Sequence, residues 1–111
     1  MDIWSDEFEG AVTICDRDGK IIYINRKANK QFLKNEGEDL LGTNLLDCHP
    51  EPSRSKLIAM LNTPTINSYT IEKKGIKKII HQTPYYTKGV FSGVIEISFE
   101  IPEEMPHFKR D

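Results

Sequence analysis

The chain is poor in the features that announce chemistry. Its 111 residues include two cysteines, three histidines and one tryptophan. With no CxxC pair, Cys15 and Cys48 argue against a disulfide-stapled scaffold and fit reduced thiols in the cytoplasm. Neither sign of charge dominates: 15 basic and 17 acidic residues leave a net charge of -2. That balance gives no broad attraction for nucleic acid or for an anionic membrane surface. No apolar run approaches the ~20 residues that span a bilayer. The opening MDIWSDEFEG lacks both the basic start and the apolar stretch of a signal peptide. Also missing are a Gly-rich phosphate loop, a GxSxG elbow and an HExxH pair, and no spacing sets a base beside a nucleophile. These absences predict a soluble, cytoplasmic domain that is not an enzyme.

What is present suits one compact unit with a core of its own, since a chain of this length buries about 65% of its unfolded surface. Ser5, followed by Asp6 and Glu7, fits the cap of a short N-terminal turn. AVTIC (11–15) and KIIYIN (20–25) read as two strands joined by the turn Asp16-Arg17-Asp18-Gly19. Asn25 can cap a helix beginning near Arg26, with Ala28 and Phe32 on one face and Gln31 and Leu33 beside them. Gly37 would end that helix, and Leu40 and Leu41 would sit on a short turn stopped by Gly42. Pro50 and Pro52 lack N–H groups, which places a helix start around 50 to 53. Leu57, Ile58 and Leu61 would be its apolar stripe, and Pro64 its stop.

From Ile66 the pattern is β. NSYTIE pairs with KKIIHQTPYY across Lys73-Lys74-Gly75, and Thr87-Lys88-Gly89 leads into VFSGVIEISFEI. The tail PEEMPHFKRD carries two of the six prolines and reads as extended. Strand, strand, short helices, helix and three strands predict an α+β domain: a five-stranded antiparallel sheet with short helices packed on one face. Residues 1–10 form an N-terminal segment, 11–101 the domain, and 102–111 a tail.

Read with particular residues, that order resembles a PAS domain. The resemblance lies in ICDRDGKIIYINRKANKQF, in DLLGTNLLDCHPEPSR, and in the glycine and end of FSGVIEISFEI. Asp16, Asp18-Gly19 and Asn25 match the first motif, Gly42 with His49-Pro50 and Glu51 the second, and Glu100-Ile101 the third. It implies a sensory or interaction module that binds a small ligand, a cofactor or a partner between sheet and helices, without naming which. Two positions depart from the pattern. Pro102 replaces a Thr, which disfavours a helix continuing out of the last strand. Leu45 stands where the light-sensing flavin branch has its reactive cysteine, so a photochemical flavin is not expected.

The Cys48-His49 pair admits two readings. As ligands, thiolate and imidazole both suit haem iron. As structure, His49 lends a side-chain hydrogen bond where the proline-marked helix starts, and Cys48 is a small buried group. Adjacent residues point apart, and no further cluster has metal spacing, so no metal site is expected. His81, in a strand, and the basic turn KKGIKK (73–78) read as solvated or partly packed groups. The last strand alternates Phe91, Ile95, Ile97 and Phe99 with Ser92, Glu96 and Ser98. The resemblance implies that Val94, Glu96 and Ser98, with Ile80 and Gln82 of the preceding strand, face the cavity. Gln82, Glu96 and Ser98, with Tyr69 and His49, then form the candidate ligand-binding set. Periodicity by itself does not choose between that arrangement and its inverse. If the polar row faces inward, the apolar row needs Trp4 and Phe8 or a second copy to cover it, and a homodimer is the expectation.

Overall fold

The computed structural model describes residues 3–32 and 41–111. The chain makes a short 3-10 helix at Trp4–Glu7, then β1 (Ala11–Asp16), β2 (Ile21–Ile24) and α1 (Arg26–Phe32). A second 3-10 helix at Leu45–Cys48 precedes α2 (Ser53–Asn62), β3 (Asn67–Lys73), β4 (Ile76–Thr87) and β5 (Val90–Ile101). The expected helix end at Gly37, together with Leu33 and Leu40, lies outside the described residues, as do the side chains of Gln31 and Phe32.

The strands form one antiparallel sheet in the order β2-β1-β5-β4-β3. This is the expected five-stranded platform with a few short helices. The order follows from chain connectivity. β1–β2, β3–β4 and β4–β5 are hairpins, whereas β1 must meet β5 from the far end of the sequence. That meeting is close. Gly93 pairs with Asp16, and a Cβ on Gly93 would lie 1.8 Å from the Cys15 carbonyl oxygen. Only glycine lets the two backbones approach so nearly, and its φ of +153° is one that other residues rarely adopt.

Cys15, Ile21 and Val94 from the sheet and Leu45, Leu57, Met60 and Leu61 from the helical side make the main core. Burial pushes the Cys15 thiol up to about 11, so it remains a neutral packing group. The α2 stripe differs from the expected one by one residue. Leu57, Met60 and Leu61, spaced three and four apart, are buried, while Ile58 is 40% exposed. One residue beyond Leu57 is a rotation of about 100°, enough to carry Ile58 off the packed face.

The start of α2 also differs in mechanism. Both prolines precede the helix, and their carbonyls accept the first-turn N–H groups of Arg54 and Lys56. Glu51 supplies the side-chain acceptor, taking bonds from the N–H and hydroxyl of Ser55. His49 takes no part in this cap.

Asn25 caps α1 as expected, accepting from the Ala28 N–H at 3.0 Å. It also does more. The same oxygen accepts from the Val12 N–H, and the amide nitrogen donates to the carbonyls of Ser5 and Gly10. One buried side chain thus joins the N-terminal segment, β1 and α1. Tyr23 adds a second tie, its hydroxyl meeting Ser5 Oγ and the Asp6 carboxylate.

Candidate functional site

The last strand turns Val94, Glu96 and Ser98 inward, all buried, and leaves Ile95 and Ile97 half-buried on the other face. The register carries this choice across the sheet. Glu96 pairs with Gln82 on β4 and with Thr13 on β1, and Ser98 pairs with Ile80 and Ala11. The polar row therefore lines the face that α2 covers.

Four of the five expected site residues, His49, Tyr69, Glu96 and Ser98, line a cavity of about 250 Å³. Cys48, Pro50, Ser53, Ile71, Lys78 and Ile80 complete its wall. Gln82 does not line it but lies behind Glu96, to which its amide donates at 2.7 Å. Gln82 Oε1 in turn accepts from Asn67 Nδ2 at 3.0 Å. His49 Nε2 meets the same carboxylate oxygen, Oε1 of Glu96, at 3.0 Å, and His49 Nδ1 meets the Leu45 carbonyl at 2.9 Å. The side chains of His49 and Glu96 are each 8% exposed.

This geometry fixes a proton count. A backbone carbonyl only accepts, so Nδ1 carries a hydrogen. The contact between Nε2 and the carboxylate then needs one further proton, on the ring or on the acid. In either form the pair is neutral overall, which is how a low-dielectric interior tolerates two ionisable groups. Burial alone would make the His49 ring shed its proton. The hydrogen bond and charge of Glu96, aided by the Leu45 carbonyl, outweigh that cost and hold the pKa above its ordinary value. Iron ligation by His49 would have to displace one of these two bonds. Among the described residues no group of three or more His, Cys, Asp or Glu side chains is placed to hold a metal ion.

Tyr69 reaches the cavity from β3, with Ser53, the first residue of α2, beside its hydroxyl. Its burial raises the phenol's pKa, Ser53 partly offsets this, and the charge of Glu96 adds to it, so the hydroxyl is a neutral donor. His81 lies on the opposite face, bonded to Ser68 Oγ at 2.6 Å. Lys78 was missed as a site residue because it sits in the basic run 73–78. The period-two pattern that places Ile80 and Gln82 inward places Lys78 inward too, once the register is known.

On the outer face Val12, the register partner of Ile97, is buried and Phe8 is half-buried, while Trp4 stands out from the surface. Trp4 is 69% exposed and stacks edge-on against Phe8, with ring centroids 5.5 Å apart. Phe99 is 37% exposed, and Phe91, Ile95 and Ile97 are half-buried.

A family model described as PAS fold matches residues 5–63, more than half of the chain. The chain belongs to the PAS family. As a PAS domain it is a sensory module of signalling proteins. Solved structures share its fold. A sensory box sensor histidine kinase from Vibrio cholerae aligns at a TM-score of 0.65 and 18% identity, over 87% of this chain and 86% of the other. The PAS domain of the histidine kinase ThkA aligns at 0.64 and 23%, over 83% and 99%. VqmA bound to DPO aligns at 0.69 and 14%, over 88% of this chain and 54% of that one. No curated protein matches the chain. Among the described residues no helix is long and apolar enough to cross a membrane.

Proposed function

We propose that this PAS domain senses a small molecule held in the cavity between β3–β5 and α2, working by binding rather than by catalysis. The observation that carries this reading is the His49–Glu96–Gln82 network. Buried polar groups are costly unless satisfied, and here they are organised along the wall of a cavity rather than replaced by apolar packing. VqmA, part of which shares this fold, is bound to DPO, which supports a guest-binding reading. Glu96 is engaged by His49 and Gln82, so it serves to orient donors and acceptors rather than to exchange protons with a substrate. Signalling requires that the guest bind one arrangement of α2 and the sheet better than another. Reduced Cys15 and Cys48 fit a cytoplasmic setting, and no disulfide joins them.

A second reading has its own observation. The apolar row Phe91, Ile95, Ile97 and Phe99 on the outer face is the surface a second copy would cover, making the domain a homodimer whose packing reports the state of the cavity. In the extreme form of this reading the domain is a dimerisation module with no guest. Native mass spectrometry of the purified protein separates these readings. A small bound molecule, or uptake of one from a metabolite mixture that is lost in Glu96→Leu, supports sensing. A dimer that takes up no small molecule favours pure association.

A further inference from the structure

The charge of the cavity wall narrows the guest, provided the cavity is a binding site as proposed above. Three of its lining side chains ionise readily: His49, Glu96 and Lys78. The first two form the neutral pair already described, which leaves Lys78 as the net charge of this lining. Lys78 makes no ion pair among the described residues; Glu100, its register partner on β5, stands outside this lining but shares a neighbouring cavity with Lys78. Two further features point the same way. Ser98 is 7% exposed, faces the cavity, and its hydroxyl has no hydrogen-bond partner among the described residues. Ser53, the first residue of α2, adds a second hydroxyl to the wall, while the helix start itself is already taken by the Glu51 carboxylate and the Pro50 and Pro52 carbonyls. Pro50, Ile71 and Ile80 are the apolar part of the wall, and Cys48 and Tyr69 complete it.

We infer that the cavity takes a small organic monoanion, a carboxylate by preference, with its charged group between Lys78, Ser98 and Ser53 and its apolar body against Ile71 and Ile80. A carboxylate supplies the negative charge that the wall lacks and the acceptors that Lys78, Tyr69 and Ser98 can use. The cavity is just below the ~300 to 1,000 Å³ typical of ligand pockets, which restricts the guest to a compact molecule. A dianion would leave one charge uncompensated beside Glu96.

The test compares benzoate with benzamide, which differ in charge at nearly constant shape, by calorimetry on the whole chain. Chemical shifts of the Ile71 and Ile80 methyl groups locate the guest. The expected result is benzoate binding at least about tenfold tighter than benzamide, the worth of one charge-assisted hydrogen bond. Both isoleucine methyls should shift, Lys78→Met should abolish the preference, and Lys78→Arg should retain it. The melting temperatures of both variants without ligand report on folding. Equal binding of the two probes, or benzoate binding unchanged in Lys78→Met, would overturn the monoanion assignment and leave small-molecule sensing standing. No binding of either probe would also overturn the assignment, while the native mass measurement judges the sensing reading independently.

Discussion

Gln82 and Glu96 are partners across the β4–β5 ladder, and the amide of the first donates to the carboxylate of the second. The same carboxylate oxygen receives His49 from a segment 47 residues away in sequence. A strand pair and a loop are thus joined at one oxygen atom, beneath the helix that closes the cavity.

Replacing Glu96 by Gln removes the charge that raises the His49 pKa but leaves the burial that opposes it. In the wild type the His49 ring should titrate above the ordinary imidazole value; in Glu96→Gln it should titrate below. Proton NMR of the ring resonances checks both midpoints. Identical midpoints would show that the carboxylate does not set the ring's charge.

The same shift has a consequence for stability. The folded-state pKa of His49 is raised, so its contribution is fully present below the unfolded-state value and is lost as pH rises through the folded-state value. Urea denaturation across that window should show stability falling with pH in the wild type. The fall should vanish or reverse in Glu96→Gln. A wild-type profile with no such fall would contradict the linkage.

Asn25→Ala removes four hydrogen bonds, among them the cap of α1. The Gly10 carbonyl and the Val12 N–H lose their bond to this side chain, and the Ser5 carbonyl keeps only the Phe8 N–H. The expected loss is about 3 kcal/mol in chemical denaturation, with earlier hydrogen exchange in residues 5–12. A loss under about 1 kcal/mol, the worth of a simple cap, would mean that water restores the other bonds.

Gly93→Ala places a methyl group within 1.8 Å of the Cys15 carbonyl oxygen. No rotamer relieves a Cβ clash with backbone, so β1 and β5 must separate. The variant should lose more than about 3 kcal/mol, beyond ordinary overpacking, and should be recovered largely in inclusion bodies. Near-wild-type melting would show that the strands can part cheaply.

Ile97→Glu addresses the outer face. Ile97 pairs with Val12 and His81 away from the cavity. The variant should therefore keep cooperative unfolding while sedimenting as a monomer where the wild type sediments as a dimer. A monomeric wild type would remove the homodimer proposal. Loss of the fold in the variant would instead mark Ile97 as core.

Much of the architecture is local and was legible in the residues. Asp16 to Gly19 closes a hairpin because Gly19 adopts φ of +86° there. Asn25 marks a helix start because its side chain can satisfy the Ala28 N–H three residues on. The alternation of Phe91 to Ile101 demanded a strand with one apolar and one polar face. The PAS motifs added an expectation about which face turns inward, and the register agrees with it.

The chain's own periodicities thus determined where its strands, turns and helix starts lie, because hydrogen bonds and backbone conformations within a few residues decide them. Which face became the interior, and that Lys78 turns into the cavity while Ile58 turns out of the core, was decided only when β1 paired with β5 and α2 closed over the sheet. The meeting of His49 with Glu96 belongs to that second class. An alternating strand presents two equivalent sides, and only the burial won by packing distant segments against one of them breaks the tie.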